Sequence, residues 1–333
     1  MKKYLLPPTG NFYKANLHCH TNISDGKSSP EEIKKCYKSL GYHIVAYTDH
    51  DVLIGHNELT DDKFLALNGV ELAINGKGEP VWANMETTHI NFIAIEPDNL
   101  KQPCWHRSKY LFSNSVNYRD KVQFYENEPD YERYYTGECI SDMFKKGREC
   151  GFFTVYNHPT CSMENYTHYM NYHNMHAMEM SNGGNEYNPR VYDDMLRGGE
   201  KIFCVGGDDN HNPPDSTTGC GKSWTMIKAE KLDYRTITQA LLDGNFYASD
   251  GPEIFELWIE DNVMHVKCSD ARKIEFTASN RTSKRFKAEG DKFINEASYS
   301  IHPDSKYVRV TITGPDGEHA SSNAYFIKDM DLI

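Results

Sequence analysis

The chain has 333 residues and a formal net charge of −12, with a quarter of its residues charged. That length exceeds one average domain and accommodates a barrel of roughly 250 residues plus a small module. The acidic balance, with no run of Lys and Arg, excludes a basic track for gripping long nucleic acid but leaves a nucleotide open as substrate. The nine cysteines form no C-x-x-C pair and read as reduced cytosolic thiols. The apolar stretch after Met1-Lys2-Lys3-Tyr4 stops at Leu5-Leu6, too short for a secretory h-region, and no apolar run approaches the roughly 18 residues of a membrane span. A soluble, cytoplasmic protein without a membrane partner is expected.

Taken in chain order, Asn16-Leu17-His18-Cys19-His20 is strand-like; residues i and i+2 share a face there, so His18 and His20 converge while Cys19 turns to the core. Ser29-Pro30-Glu31-Glu32 is a capping box with Pro at the first helical position, and Gly41 closes that helix. His43 to Tyr47 forms a short strand running into Thr48-Asp49-His50, and Leu65-Ala66-Leu67 leads into Gly69-Val70-Glu71. His89 precedes a strand over Ile90 to Ile95. Residues 96–138, rich in Tyr, Phe, Trp, Asn and charge, form an irregular insertion, either a lid or binding loop or a surface ornament. A helix over about 139–149 precedes a strand from Phe152 to Tyr156 that ends at Asn157-His158-Pro159. Strands at Ala177 to Met180 and Ile202 to Val205, with helices near 189–197 and 234–243, continue the alternation, and Gly207-Asp208-Asp209-Asn210-His211 places Asp209 and His211 on one face. Such alternation predicts a parallel α/β sheet, and ligand-type residues at several strand ends predict a barrel with its chemistry at the top. From about Gly251 onward short alternating strands without helices predict a small antiparallel β-sandwich, giving domains of 1–250 and 251–333.

His18-Cys19-His20, Asp25, Thr48-Asp49-His50, Gly69-Val70-Glu71, His89, Asn157-His158-Pro159 and Gly207-Asp208-Asp209-Asn210-His211 together resemble the polymerase and histidinol phosphatase (PHP) superfamily of metal-dependent phosphoesterases. The resemblance covers roughly residues 14–250 and implies a distorted seven-stranded β/α barrel with a trinuclear site. It implies that His18, His20, Glu71 and Asp209 hold one ion. Glu71 then bridges to a second ion completed by His89 and His158, while Asp25, His50 and His211 hold a third. The family's G-x-D-x-H register selects Asp209 over Asp208. The segment from Asn245 to Pro252 and the β-module ending at Val308 to Gly317 also resemble the branch that includes carbaryl hydrolases.

Imidazole and carboxylate ligands accept zinc, manganese or iron. Three divalent ions among six neutral imidazoles and three carboxylates leave the site net positive, which suits a small anionic phosphoester. Metal binding lowers the pKa of water from 15.7 towards roughly 7, supplying a hydroxide nucleophile at neutral pH, with Glu71 and Asp209 as its catalytic carboxylates. The expected activity is hydrolysis of a phosphomonoester, nucleotide or small diester; the alternative on the same ligands is a carboxylester or carbamate metallohydrolase. A non-catalytic, metal-stabilised partner module is the third reading, disfavoured by the full ligand set. Lys27, Arg190, Arg197 and Lys222 are candidates for the phosphoryl oxygens, with Arg190, at a helix start, preferred. His56, His173 and His176 are further candidates for substrate contact, and Glu179 either reaches the rim or orients a ligand. His43, His168, His265, His302 and His319 read as surface residues. A homo-oligomer is compatible with the sequence.

Overall fold

The computed structural model describes residues 2–76, 86–184, 186–213 and 219–330. The chain opens with β1 (Lys3–Tyr4), β2 (Asn11–Asn16), α1 (Pro30–Ser39), β3 (Ile44–Tyr47), β4 (Leu65–Asn75) and β5 (Thr87–Ala94). In the insertion, β6 (Lys101–Gln102) and β7 (Gln123–Phe124) bracket a 3-10 helix at Ser113–Lys121. Then come α2 (Gly137–Glu149), β8 (Phe152–Tyr156), α3 (Tyr166–Tyr169), β9 (Ala177–Asn182), β10 (Glu186–Tyr187), α4 (Pro189–Gly198), β11 (Phe203–Gly207), β12 (Trp224–Ala229), α5 (Tyr234–Leu242) and β13 (Phe246–Ser249). The remainder is β14 (Ile254–Glu260), β15 (Val263–Ala271), β16 (Lys273–Ala278), β17 (Lys284–Lys287), β18 (Ile294–Ser300), β19 (Tyr307–Thr313), β20 (His319–Ser322) and β21 (Tyr325–Phe326).

The expected helix signals are realised. The Ser29 hydroxyl accepts from Glu32 N (3.3 Å) while the Glu32 carboxylate accepts from Ser29 N (2.8 Å), and Gly41 takes the left-handed conformation beyond the helix end. Helices α2, α4 and α5 fall close to their expected positions.

The sheet departs from expectation. Instead of a parallel barrel, one mixed sheet runs β10-β9-β8-β5-β4-β3-β2-β12-β13-β20-β19-β16-β17, with β11 on β9 and β21 on β19. Pairing is parallel for β2/β3, β3/β4, β8/β9 and β9/β11, but antiparallel for β4/β5, β5/β8, β2/β12 and β12/β13. The seven-stranded barrel is not closed. A register shift at Val205/Gly206 interrupts β11, and its link to β12 is made by a side chain: the Thr225 hydroxyl accepts from Gly206 N (3.0 Å) and donates to Gly206 O (2.9 Å).

Nor is the C-terminal part a free-standing sandwich. β13 carries the large sheet into β20, β19, β16 and β17, and only the facing layer, β1-β14-β15-β18, is separate. Both layers share a core that includes Leu257, Ile259, Val266, Ile274, Phe276, Val310 and Ile312. A buried two-pronged ion pair, Arg309 to Asp193 of α4 (2.8 and 2.9 Å), fastens β19 to the ligand-bearing half.

Candidate metal centre

The two ligand pairs recognised from sequence lie side by side. β2 ends at Asn16 and β11 at Gly207; just beyond, Asp209 N donates to His18 O (3.0 Å) and His20 N donates to Asn210 O (3.1 Å). Asn16 holds both turns by accepting from His18 N (3.3 Å) and Asp208 N (2.8 Å). β4 outruns its parallel neighbour β3, so Glu71 sits within an 11-residue strand and not at a strand end, and it bridges His50 in the loop beyond β3. Antiparallel pairing sets Glu71 opposite Asn91 and Ala73 opposite His89, which places Glu71 and His89 on one face. His158 enters from the turn after β8.

Glu71 is the hub and is fully buried. Its carboxylate lies 3.1–3.3 Å from five imidazole nitrogens, those of His18, His20, His50, His89 and His158. Asp209 approaches His20 (3.0 Å), His18 (3.3 Å), His211 (3.5 Å) and His158 (3.7 Å). Asp25 approaches His211 (3.3 Å), His20 (3.8 Å) and His50 (3.9 Å). Thus all nine ligand residues expected from sequence meet. Three overlapping sets have donor atoms within 4.8 Å of one another: His18, His20, Glu71 and Asp209; His20, Asp25, His50 and His211; and His50, Glu71 and His89. The shared roles of His20 and His50 were not expected, and they tie the three sets into one cluster.

Four buried polar atoms of this cluster, His20 Nδ1, His50 Nδ1, Glu71 Oε2 and Asp209 Oδ1, have no hydrogen-bond partner. An unmet buried polar atom costs about 1–3 kcal/mol, and four in one cluster of imidazoles and carboxylates are what divalent cations would satisfy. The residues therefore fit the metals that the motifs imply. The field is consistent with that fit. Burial alone would lower His20 and His158, but the carboxylates of Asp209 and Glu71 close to His20, and of Glu71 and then Asp209 close to His158, hold them up at about 10 and about 9. Burial opposes ionisation of Glu71 and Asp209, yet the surrounding imidazoles, His18 first, hold both well below the usual carboxylate range. His50 is driven well below an ordinary imidazole by burial and then by the positive His20.

A second layer of side chains orients the ligands. Glu179 accepts from His18 Nδ1 (2.9 Å), His158 N (2.9 Å) and Asn182 Nδ2 (2.8 Å), which settles its place behind the ligands. Asn157 Nδ2 donates to Glu71 (2.7 Å), and Ser162 Oγ lies 3.1 Å from His158 Nδ1. Asp49 staples the loop carrying Asp25 by accepting from Thr21 N (2.8 Å), Ser24 N (3.2 Å) and the Thr21 and Ser24 hydroxyls. Asp208 turns away from the cluster; the Tyr37 hydroxyl and the backbone amides of Gly221, Lys222 and Ser223 donate to it at 2.7–2.9 Å. The choice of Asp209 is thereby explained structurally.

Other expectations are corrected. Arg190 does not join the cluster: its side chain is 90% exposed on α4 and reaches Asp194 (3.7 Å), because the asparagine before Pro189, not the arginine, turns back towards the Glu179 strand. Lys27 and Lys222 are exposed, and Arg197 pairs with Asp194. His56 is buried against Tyr47, His173 bonds Glu200 (2.6 Å), and His176 stacks on Phe153. Cys19 is buried in the core beneath α1, as expected.

Sequence reasoning left the insertion unplaced. Trp105 and Val122 pack on Ile23 and Val52, from the two loops that follow ligand strands, and Asn114 N donates to Ser24 O (3.1 Å). Arg133 pairs with Asp51, the neighbour of His50. The advance signal was the apolar Ile23 and the apolar run Val52-Leu53-Ile54 in the two ligand loops.

No family model matches the chain. A curated 5'-3' exoribonuclease of Haemophilus influenzae is 32% identical over 89 residues, 25% of this chain and 32% of that protein, so the similarity spans about a third of the relative's length. Among solved structures, a two-domain protein of Bacteroides vulgatus, described as containing a predicted PHP-like metal-dependent phosphoesterase, aligns over 98% of both chains at 17% identity with a TM-score of 0.48. An amidohydrolase of Chromobacterium violaceum, solved with bound sulfate and no metal, aligns over 60% of this chain and 88% of its own at 17% identity and TM-score 0.38. Neither likeness carries functional weight at these values. Among the described residues no helix is long and apolar enough to cross a membrane.

Proposed function

We propose that the protein is a metal-dependent hydrolase of small phosphoesters with a trinuclear site. The observation that carries this reading is the convergence of His18, His20, Asp25, His50, Glu71, His89, Asp209 and His211 in three overlapping ligand sets, with His158 beside Glu71 (3.3 Å) and four buried polar atoms of the cluster unmet. His18, His20, Glu71 and Asp209 would hold one ion, Glu71 with His89 and His158 a second, and Asp25, His50 and His211 a third. Bound there, the ions would supply an activated water and neutralise phosphoryl charge. The chain's own part is to fix the ligands. Glu179 accepts a hydrogen bond from His18 Nδ1 and so keeps Nε2 directed at Glu71, while Asn157 holds the Glu71 carboxylate in place. The more exposed ligands, Asp25, His89, Asp209 and His211, mark the side from which a substrate would enter.

The matched relative's name denotes cleavage of phosphodiester bonds. In this acidic chain we extend only the phosphoester chemistry, with a small anionic substrate in place of long nucleic acid. The carboxylester or carbamate reading keeps one point in its favour: Arg190 is remote and the apolar Phe112 stands beside His50. One experiment separates the two. Protein loaded with manganese or zinc is assayed on p-nitrophenyl phosphate, nucleotides and small diesters beside aryl carbamates and carboxylesters. Phosphoester cleavage that is abolished by chelator and by Asp209→Asn supports the proposal. Cleavage confined to carbamates or carboxylesters overturns it.

A further inference from the structure

The insertion ends its contact with the ligand loops in an exposed aromatic ring. Leu111 turns inward to the small core around Ile23, Val52, Trp105 and Val122, while Phe112 turns outward and stays 45% exposed. Its ring centroid lies 5.1 Å from that of His50, tilted by 60°, so the phenyl group borders a candidate ligand directly. The position is held from both sides. Ser115 Oγ accepts from Phe112 N (3.1 Å) and donates back to Phe112 O (2.5 Å). Asn114 N donates to Ser24 O and Asn114 Nδ2 to Asn22 O (3.2 Å), beside the Asp25 loop. Tyr110 and Ser113 on either side adopt positive φ of 70° and 53°, a costly backbone that only these surroundings maintain.

The insertion's main cations are engaged elsewhere: Arg107 with Asp130, Lys109 with Glu132 and Arg133 with Asp51. What Phe112 offers beside His50 is an apolar, aromatic face. Resting on the reading of the cluster as a phosphoesterase centre, we infer that Phe112 is a specificity residue that stacks on a planar aromatic group of the phosphoester, an aryl ring or a nucleobase. The phosphoryl group takes the charged cluster, and the ring takes the exposed phenyl face. An aliphatic phosphoester gains nothing from this contact.

The test measures binding as well as turnover. Metal-loaded protein is titrated calorimetrically with phenyl phosphate, a nucleoside monophosphate, glycerol phosphate and inorganic phosphate, for the natural chain and for Phe112→Ala, Phe112→Leu and Phe112→Trp. Because the ring is exposed, the substitutions should leave folding and metal content unchanged, which circular dichroism and elemental analysis verify. Expected is a preference for phenyl phosphate over inorganic phosphate of roughly tenfold, from the usual strength of ring stacking. Phe112→Ala should abolish it, Phe112→Leu should restore part, and Phe112→Trp should restore or exceed it, with glycerol phosphate unmoved throughout. A preference for the nucleoside monophosphate over phenyl phosphate identifies the ring as a nucleobase, and the reverse order identifies a simple aryl group. Equal affinity for phenyl and inorganic phosphate in the natural chain, including no measurable binding of either, overturns the inference, as does a preference untouched by Phe112→Ala. Phenyl phosphate binding that depends on Phe112 without turnover of any phosphoester would sink the proposed function and leave the aromatic subsite standing.

Discussion

Arg133 is where the insertion grips the ligand loops, and its removal has a calculable cost. Its guanidinium and the Asp51 carboxylate are each about 2% exposed; Nη1 donates to Asp51 Oδ1 (2.5 Å) and to Ala73 O (3.0 Å), and the group lies over the Tyr110 ring at 4.5 Å. Arg133→Met keeps most of the volume but leaves the Asp51 carboxylate buried without its counter-charge. Breaking a buried pair from one side costs about 3–5 kcal/mol, a large share of the roughly 5–15 kcal/mol that holds a typical domain folded. Asp51 has φ 61°, which asparagine tolerates, so adding Asp51→Asn removes the stranded charge without straining the turn. The double variant should recover at least about 2 kcal/mol of the loss. Burial already raises the Asp51 pKa even beside Arg133, and the single variant should raise it further. A carboxyl whose folded pKa lies above its unfolded value stabilises most below the unfolded value and loses that contribution as pH rises through the folded one. The penalty of Arg133→Met should therefore be larger at pH 8 than at pH 5. Urea unfolding of chelator-treated protein at both values measures this. A single-variant loss below about 1 kcal/mol, or a double variant no more stable than the single, would refute the reasoning.

Elemental analysis at saturating manganese or zinc should approach three ions per chain, with His50→Ala losing one; a ceiling of one ion would end the trinuclear assignment. Glu179→Gln should weaken metal affinity by about 10- to 100-fold through His18 and His158 while the fold persists, as read by competition with a chromophoric chelator. Burial, aided by Arg148, pushes His176 down to about 4, so this imidazole stays neutral in the folded chain while its unfolded counterpart protonates. The stability it confers is present above about pH 6.5 and declines towards pH 4, and His176→Gln should flatten that decline by about 1–3 kcal/mol between pH 7.5 and 4.5 in urea titrations. Arg190→Ala should leave turnover within about twofold, since its side chain faces solvent.

The pairs His18/His20 and Asp209/His211 were legible because each is spaced by two residues, and the structure joins the two segments through Asp209 N to His18 O and His20 N to Asn210 O; the other five candidate ligands, scattered singly along the chain, were placed only by the family resemblance. The helix α1 was legible for the same reason, since its capping box lies within four residues. What was not legible depends on pairing between distant segments. The direction of β5 against β4 is set by contacts such as Ile90 with Leu72, and nothing in either strand alone distinguishes parallel from antiparallel. The open edge at β11 comes from a register shift beside Gly206, where an added Cβ would lie 2.6 Å from Trp224 O. The continuation of the sheet through β13 into β20 could not be read from strands that alternate as any sandwich strand does.

The backbone supplies the last step. Ten non-glycine residues among those described have positive φ, and three of them, Asp51, His158 and Asp209, are ligands or the immediate neighbour of one. Three more, Cys104, Tyr110 and Ser113, belong to the insertion that walls the cluster. Such conformations cost about 1–3 kcal/mol each and persist only where the surroundings over-determine them. Here the surroundings do so visibly: Glu179 accepts from the His158 amide, His18 O accepts from the Asp209 amide, and Glu71 O accepts from the Asp51 amide at 2.8–3.0 Å. Strain, unmet polar atoms and converging carboxylates thus fall within one cluster, and Asp209 carries all three. A purely structural polar core would relax each of these defects, whereas a site kept for cations has reason to hold them all.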